Sequence, residues 1–224
     1  MLKATIFDMD GVLIDSQPLH FMAEKETASH FGHPIGEEEL KQYLGWREEE
    51  FWKELIRRYS LPATFEEMRE FDRGIVEGYL QEAAKPDESL AKILLKLRGR
   101  GMKLAVASSS WKRAIGIVLG GLGIREYFDA VVCGAEVERG KPEPDIFMLA
   151  AKKMGVGARD CAVVEDAPSG IRAANTAGML SIALMGKVNA GLDFSEADEV
   201  ISSLDELPGV IAKNSCAGRI SGHF

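Results

Sequence analysis

Two aspartates one residue apart, Asp8 and Asp10, follow a short apolar run, Ala4-Thr5-Ile6-Phe7, within the first dozen residues. Apolar residues without alternation suit a strand buried on both faces of a parallel sheet. Gly11 permits the sharp exit that such a strand end needs. Alternation along a strand would aim Asp8 and Asp10 the same way, if strand geometry extends as far as Asp10. Open parallel sheets bind ligands beyond the carboxyl ends of their strands, which is where both aspartates would sit. Carboxylates so placed can hold a cation and attack a phosphorus; the alternative is that they cap a turn and touch only water.

Three further polar clusters stand where later strands of the chain are expected to end. Ala105-Val106-Ala107 leads into Ser108-Ser109-Ser110, hydroxyls and N–H groups ahead of a helix N-terminus. That is a natural seat for phosphate, although a serine run taken alone is more often a helix cap, the alternative for Ser110. Lys141 lies in Gly140-Lys141-Pro142-Glu143-Pro144-Asp145, where Pro142 biases it to an extended backbone and Pro144 can start a helix. A lone loop lysine is ordinarily solvated surface, but rigid prolines follow this one. Ala162-Val163-Val164 ends in Glu165-Asp166 ahead of Ala167-Pro168-Ser169-Gly170; alone, Asp166 could simply complement a helix dipole. Together the four clusters are complementary. Asp8, Asp166 and a main-chain carbonyl near Asp10 would offer oxygen ligands to Mg²⁺, and Lys141 and the Ser108 hydroxyl would hold phosphoryl oxygens.

The elements that must position these residues read as an α/β fold, a Rossmann-like doubly wound parallel sheet with a small four-helix insert. Helical periodicity covers 20–31, 38–43, 47–59 and 65–81, with breaks at Gly32-His33-Pro34, Leu44-Gly45-Trp46 and Leu61-Pro62-Ala63. After Lys85-Pro86-Asp87 helix and strand alternate, the signature of a parallel layer. Strands are expected at 103–107, 130–133, 161–165 and 179–184, and helices at 87–98, 112–120, 144–154 and 171–177, with Gly178 stopping the last. The first strand belongs to this layer, so the core is discontinuous, 1–15 plus 86–213, with a helical cap at 16–85 inserted over the strand ends. Residues 214–224 carry no readable signal.

At 224 residues and 46% hydrophobic content the chain can bury a full core. A net charge of −8 argues against nucleic acid or an anionic membrane as partner, since both require a basic face. Cys133, Cys161 and Cys216 follow no metal or disulfide spacing, which points to buried thiols in a reducing compartment. With no apolar stretch near the ~20 residues of a membrane span, the expected location is the cytoplasm, as a monomer or small homo-oligomer.

The motifs Asp8-Met9-Asp10-Gly11-Val12-Leu13-Ile14-Asp15-Ser16, the serine after Val106-Ala107, the Gly140–Asp145 segment and Val164-Glu165-Asp166-Ala167-Pro168-Ser169-Gly170 closely resemble the haloacid dehalogenase superfamily, in its order, over residues 6 to about 178. The resemblance implies a Mg²⁺-dependent phosphotransferase of the branch that holds sugar-phosphate phosphatases and β-phosphoglucomutases, acting on a small phosphorylated metabolite. It implies Asp8 as the nucleophile forming an aspartyl-phosphate, and Asp10 as acid and base. Ser108 and Lys141 would stabilise the transferring group; Asp8, Asp10, Asp166 and Glu165 would form the metal shell. Two carboxylates so close do not both favour the charged form, and Mg²⁺ favours ionised Asp8, which leaves the proton to Asp10. Ser109, Arg47 and His20 are implied substrate-binding positions, although Arg47 also reads as a solvated helix-start arginine and His20 as packing under the cap. Mutases carry a lysine where this chain has Ile75, and tend to have Lys-Asn where it has Trp111-Lys112. Those departures favour phosphatase over mutase. A dehalogenase lacks the second aspartate, and a non-catalytic phosphate-binding scaffold would have lost Asp8 or Asp10.

Overall fold

The computed structural model describes residues 1–43, 48–186 and 189–216. Its strands are β1 (Ala4–Phe7), β2 (Lys103–Ser108), β3 (Ala130–Cys133), β4 (Cys161–Glu165), β5 (Leu180–Leu184) and β6 (Glu199–Ile201). Its helices are α1 (Gln17–His30), α2 (Glu37–Leu40), α3 (Glu48–Tyr59), α4 (Phe65–Ala83), α5 (Glu88–Arg98), α6 (Lys112–Gly121), α7 (Asp145–Met154), α8 (Pro168–Thr176) and α9 (Leu207–Cys216). The chain divides into two compact units, one formed by Met1–Asp15 with the residues from Ala84 onward, the other by Ser16–Ala83.

The larger unit is built on one parallel sheet in the order β3-β2-β1-β4-β5-β6. All four β1 residues are buried, as a central strand covered on both faces requires. Ala4 and Ile6 join Ala105, Ala107 and Val163 in a core closed by Ile146, Phe147, Ala150 and Met154 of α7 and by Ala173 and Ala174 of α8. By strand alternation Thr5, Phe7, Leu104 and Val106 face the other way, the side of β2 that α5 covers. Asp87 caps α5 by accepting from the Ser89 and Leu90 amides at 2.8 and 3.1 Å. The strand order reverses between β1 and β4, and a crevice at such a switch point is where sheets of this kind take ligands.

The smaller unit holds α1 to α4. Tyr43, Phe51, Trp52, Leu55, Leu61 and Met68 form its apolar centre with Ala28, Ile35 and Leu40. Between α1 and α4 the contact turns polar: Thr27 donates to Asp72 at 3.2 Å, both buried.

Several expected boundaries shift for local reasons. The helix expected from Ile171 begins at Pro168, since a proline in the first turn gives up only an amide that has no intrahelical partner. The second cap helix is a single α-turn continued by a 3₁₀ turn over Lys41–Tyr43. β6 and α9 were not expected. β6 is a three-residue edge strand with Val200 half exposed, too short to show a period. The limit drawn at 213 falls inside α9, where the Asn214 amide donates to Glu199 Oε1 at 2.9 Å. Cys133 and Cys161 are buried free thiols.

Candidate active site

Register brings the polar clusters together. Phe7 pairs with Val106 on one side and Val164 on the other, so the next residue, Asp8, stands level with Ala107 and Glu165. The Asp8 amide donates to the Val164 carbonyl at 3.0 Å, extending the ladder by one bond. The chain then folds tightly on the Met9 carbonyl, which accepts from Val12, Leu13 and Ile14 at 3.3, 2.8 and 3.2 Å. Gly11 sits at φ +75°, and a Cβ there would lie 1.9 Å from Asp166 Oδ2. The Asp166 carboxylate is therefore packed against the turn that follows Asp8, and only glycine leaves room for it.

Lys141 enters from the loop ahead of α7. Its Nζ donates to Asp8 Oδ1, to Glu165 Oε1 at 2.6 Å and to the Ala107 carbonyl at 3.5 Å. The ring of Phe147 lies 5.0 Å from it. Glu165 is 1% exposed, and its second oxygen accepts the Asp166 and Ala167 amides, both at 2.9 Å. Both Glu165 oxygens are thus engaged, and Oε1 fixes Lys141. A Cβ on Gly170 would come within 1.9 Å of Glu165 Oε1, so the first turn of α8 is glycine where the glutamate needs the space.

Asp10 Oδ2 accepts from Ser108 Oγ at 3.2 Å and from Ser110 Oγ at 2.8 Å. Ser110 does not cap α6: the residue before the helix is Trp111, with no side-chain cap bond. Ser108 is fully buried and Ser109 exposed. The Ser109 carbonyl lies where a Cβ on residue 134 would be, 2.6 Å away, so Gly134 lets the serine loop settle on the end of β3. Asn189, which no local signal marks, donates to the Asp166 and Leu184 carbonyls at 2.8 and 3.0 Å and ties the Asp166 loop to the end of β5.

Asp8, Glu165 and Asp166 gather around the Lys141 ammonium, and Asp10 bears on Asp8 and Asp166. Burial raises the Asp8 carboxyl well above its usual range, with Lys141 opposing and Glu165 and Asp10 adding. Asp166 is pushed up to about 7, first by burial and then by Glu165 and Asp10. Burial works against the Lys141 charge, but Asp8 and Glu165 outweigh it and hold the ammonium charged above its ordinary range. Excess negative charge on oxygen donors alone is what a hard divalent cation relieves. Among the described residues no three His, Cys, Asp or Glu side chains form a ready cage. Mg²⁺ typically takes one or two carboxylates and keeps waters for the rest, so Asp8, Asp166 and a main-chain oxygen of the Asp8–Asp10 turn fit it.

Arg47 lies outside the described residues. His20 belongs to the smaller unit, where its charge bears on Glu24 and Asp72. Burial raises each of these carboxyls to about 7. Asp72 also raises Glu24, which His20 opposes; for Asp72, His20 and the Thr27 bond oppose the rise.

Residues 5–184 match the haloacid dehalogenase-like hydrolase family. A phosphorylated carbohydrates phosphatase of Thermotoga maritima is 31% identical over 200 residues, covering 89% of this chain and 93% of that protein. A β-phosphoglucomutase of Bacillus subtilis is likewise 31% identical, over 215 residues and 92% of each chain. Among solved structures, CbbY from Rhodobacter sphaeroides in complex with phosphate superposes with a TM-score of 0.80 at 27% identity, covering 92% of this chain and 96% of that one. Among the described residues no helix is long and apolar enough to cross a membrane.

Proposed function

The chain belongs to the haloacid dehalogenase-like hydrolase family, and from that premise we propose that it is a Mg²⁺-dependent phosphatase of a small phosphorylated metabolite, a sugar phosphate or a similar compound. The observation that carries the reading is the meeting of Asp8, Lys141, the Asp10–serine cluster and Asp166 around the ends of β1, β2 and β4.

Asp8 attacks the phosphorus and carries the phosphoryl group as an aspartyl-phosphate. Asp10 gives its proton to the departing oxygen, then takes one from the water that hydrolyses the intermediate; help of this kind is worth roughly 10²–10⁴ in rate. Lys141 and the Ser108 hydroxyl hold phosphoryl oxygens, and Glu165 keeps Lys141 aimed at them. Asp8, Asp166 and a main-chain oxygen near Asp10 would hold Mg²⁺, which neutralises phosphoryl charge and orients the group for in-line attack. Holding the reactants in line supplies much of the remaining acceleration.

A phosphatase and a mutase are equally similar in sequence to this chain, so similarity does not choose between them. Ile75 and Trp111-Lys112 favour hydrolysis, because a mutase must retain and turn a bisphosphate, and mutases carry a lysine in place of Ile75 and tend to carry Lys-Asn in place of Trp111-Lys112. The cytoplasm is the proposed location, from the buried thiols.

Turnover of p-nitrophenyl phosphate with Mg²⁺, its loss in chelator and its absence in Asp8→Asn test the reading. Unchanged activity in Asp8→Asn overturns it. A panel of phosphorylated metabolites ranked by kcat/KM identifies the substrate, and dependence on an added sugar bisphosphate would make the protein a mutase.

A further inference from the structure

Ser108 and Ser110 both donate to one oxygen, Asp10 Oδ2. Ser108 Oγ in turn accepts the Ser110 amide at 3.0 Å, so a two-residue turn locks the serines beside each other. A hydroxyl has a single proton to give. Once Ser108 turns its proton to a phosphoryl oxygen, its bond to Asp10 is lost. Ser110 then still holds the carboxyl.

We propose that Ser110 is a positioning residue of Asp10: it anchors Oδ2 as an acceptor and frees Ser108 to hold the phosphoryl group. The inference rests on the phosphatase reading. In the first half-reaction the Asp8 oxygen bonds phosphorus, the phosphorus–oxygen bond to the leaving group breaks, and the Asp10 proton passes to that oxygen. In the second, water bonds phosphorus, its proton returns to Asp10, and the bond to Asp8 breaks.

The full-length protein is assayed with Mg²⁺ on phenyl phosphate and p-nitrophenyl phosphate. The two differ little in shape, but p-nitrophenol is the better leaving group and needs less help from an acid. kcat/KM reports steps up to formation of the phosphoenzyme. Ser110→Ala lowers kcat/KM for phenyl phosphate about tenfold or more, the effect of one hydrogen bond to a charged group. It lowers that for p-nitrophenyl phosphate less than roughly threefold, and Ser110→Thr restores the former. An equal loss on both substrates makes Ser110 a phosphate contact and overturns the proposal, as does no loss on either. Asp10→Ala shows the same substrate contrast, larger. If it shows none, or if Asp8→Asn keeps turning over, the phosphatase reading fails rather than the role of Ser110.

Discussion

Replacing Gly170 by alanine tests how Lys141 is held beside Asp8, the proposed nucleophile, without altering either side chain. The added methyl would lie 1.9 Å from Glu165 Oε1 and 2.0 Å from Cδ, far inside contact distance, so Glu165 must leave its seat. Leaving it breaks the 2.6 Å bond to Lys141 and strips two amides of their acceptor. Breaking a buried ion pair costs about 3–5 kcal/mol, and Lys141 keeps Asp8 as a partner, which places the cost near the lower figure. For a chain of this length the corresponding fall in Tm is roughly 6–12 °C. With Lys141 displaced by about 1 Å, kcat/KM falls by about 10²-fold. The discriminating comparison is a double-mutant cycle. In an Glu165→Ala background the clash is gone, so Gly170→Ala costs less than about 0.5 kcal/mol, the margin expected of uncoupled sites. Calorimetry and kcat/KM on the four proteins check this. Equal destabilisation by Gly170→Ala in both backgrounds would refute the argument.

Burial raises Asp72 from 3.8 to about 7. The folded chain therefore binds a proton that the unfolded chain releases above pH ~4, and stability falls as pH rises from about 4 to 7. Asp72→Asn should raise Tm at pH 8 and change it little at pH 4, as thermal melts across pH will show; Glu24, also raised to about 7, should give the same sign as Gln. Asp166→Asn should raise the Mg²⁺ concentration for half-maximal activity at least roughly tenfold, the loss that even outer partners of a metal ligand produce, read by metal titration. Gly121→Ala would place a methyl 2.5 Å from the Ala84 carbonyl oxygen. Because backbone gives way less readily than a side-chain tip, it should cost about 1–3 kcal/mol, measured by denaturant unfolding.

The sheet and its four polar loops were legible because the causes are local. Residues 4–7, 130–133 and 161–165 are apolar runs of strand length, and the loops of Asp8, Ser108 and Asp166 follow directly from their strands, whereas Lys141 lies beyond the 3₁₀ turn Gly134–Glu136 that follows β3. The role of Ser110 was not legible because a serine before a helix has a local use as a cap, whereas its partner Asp10 lies a hundred residues away. Glu165 and Asp166 are adjacent carboxylates and look alike in a sequence. What separates Glu165 from Asp166 is the route of Lys141 and the missing side chain of Gly170, both tertiary facts. Asn189 acts through carbonyls of residues 166 and 184, a role that no neighbouring residue announces.

β1 lies between β2 and β4, with Ala4 opposite Lys103 and Cys161. Made before either neighbour, this strand waits about 100 residues for one and nearly 160 for the other. Contacts so distant along the chain form slowly, whereas residues 16–83 contain all they need for their own apolar centre. The insert can reach its native packing while Ile6 and Phe7 are still unsheltered. Until residue 165 has emerged, the newborn polypeptide carries a bare, apolar central ribbon, the kind of unpaired strand that invites aggregation.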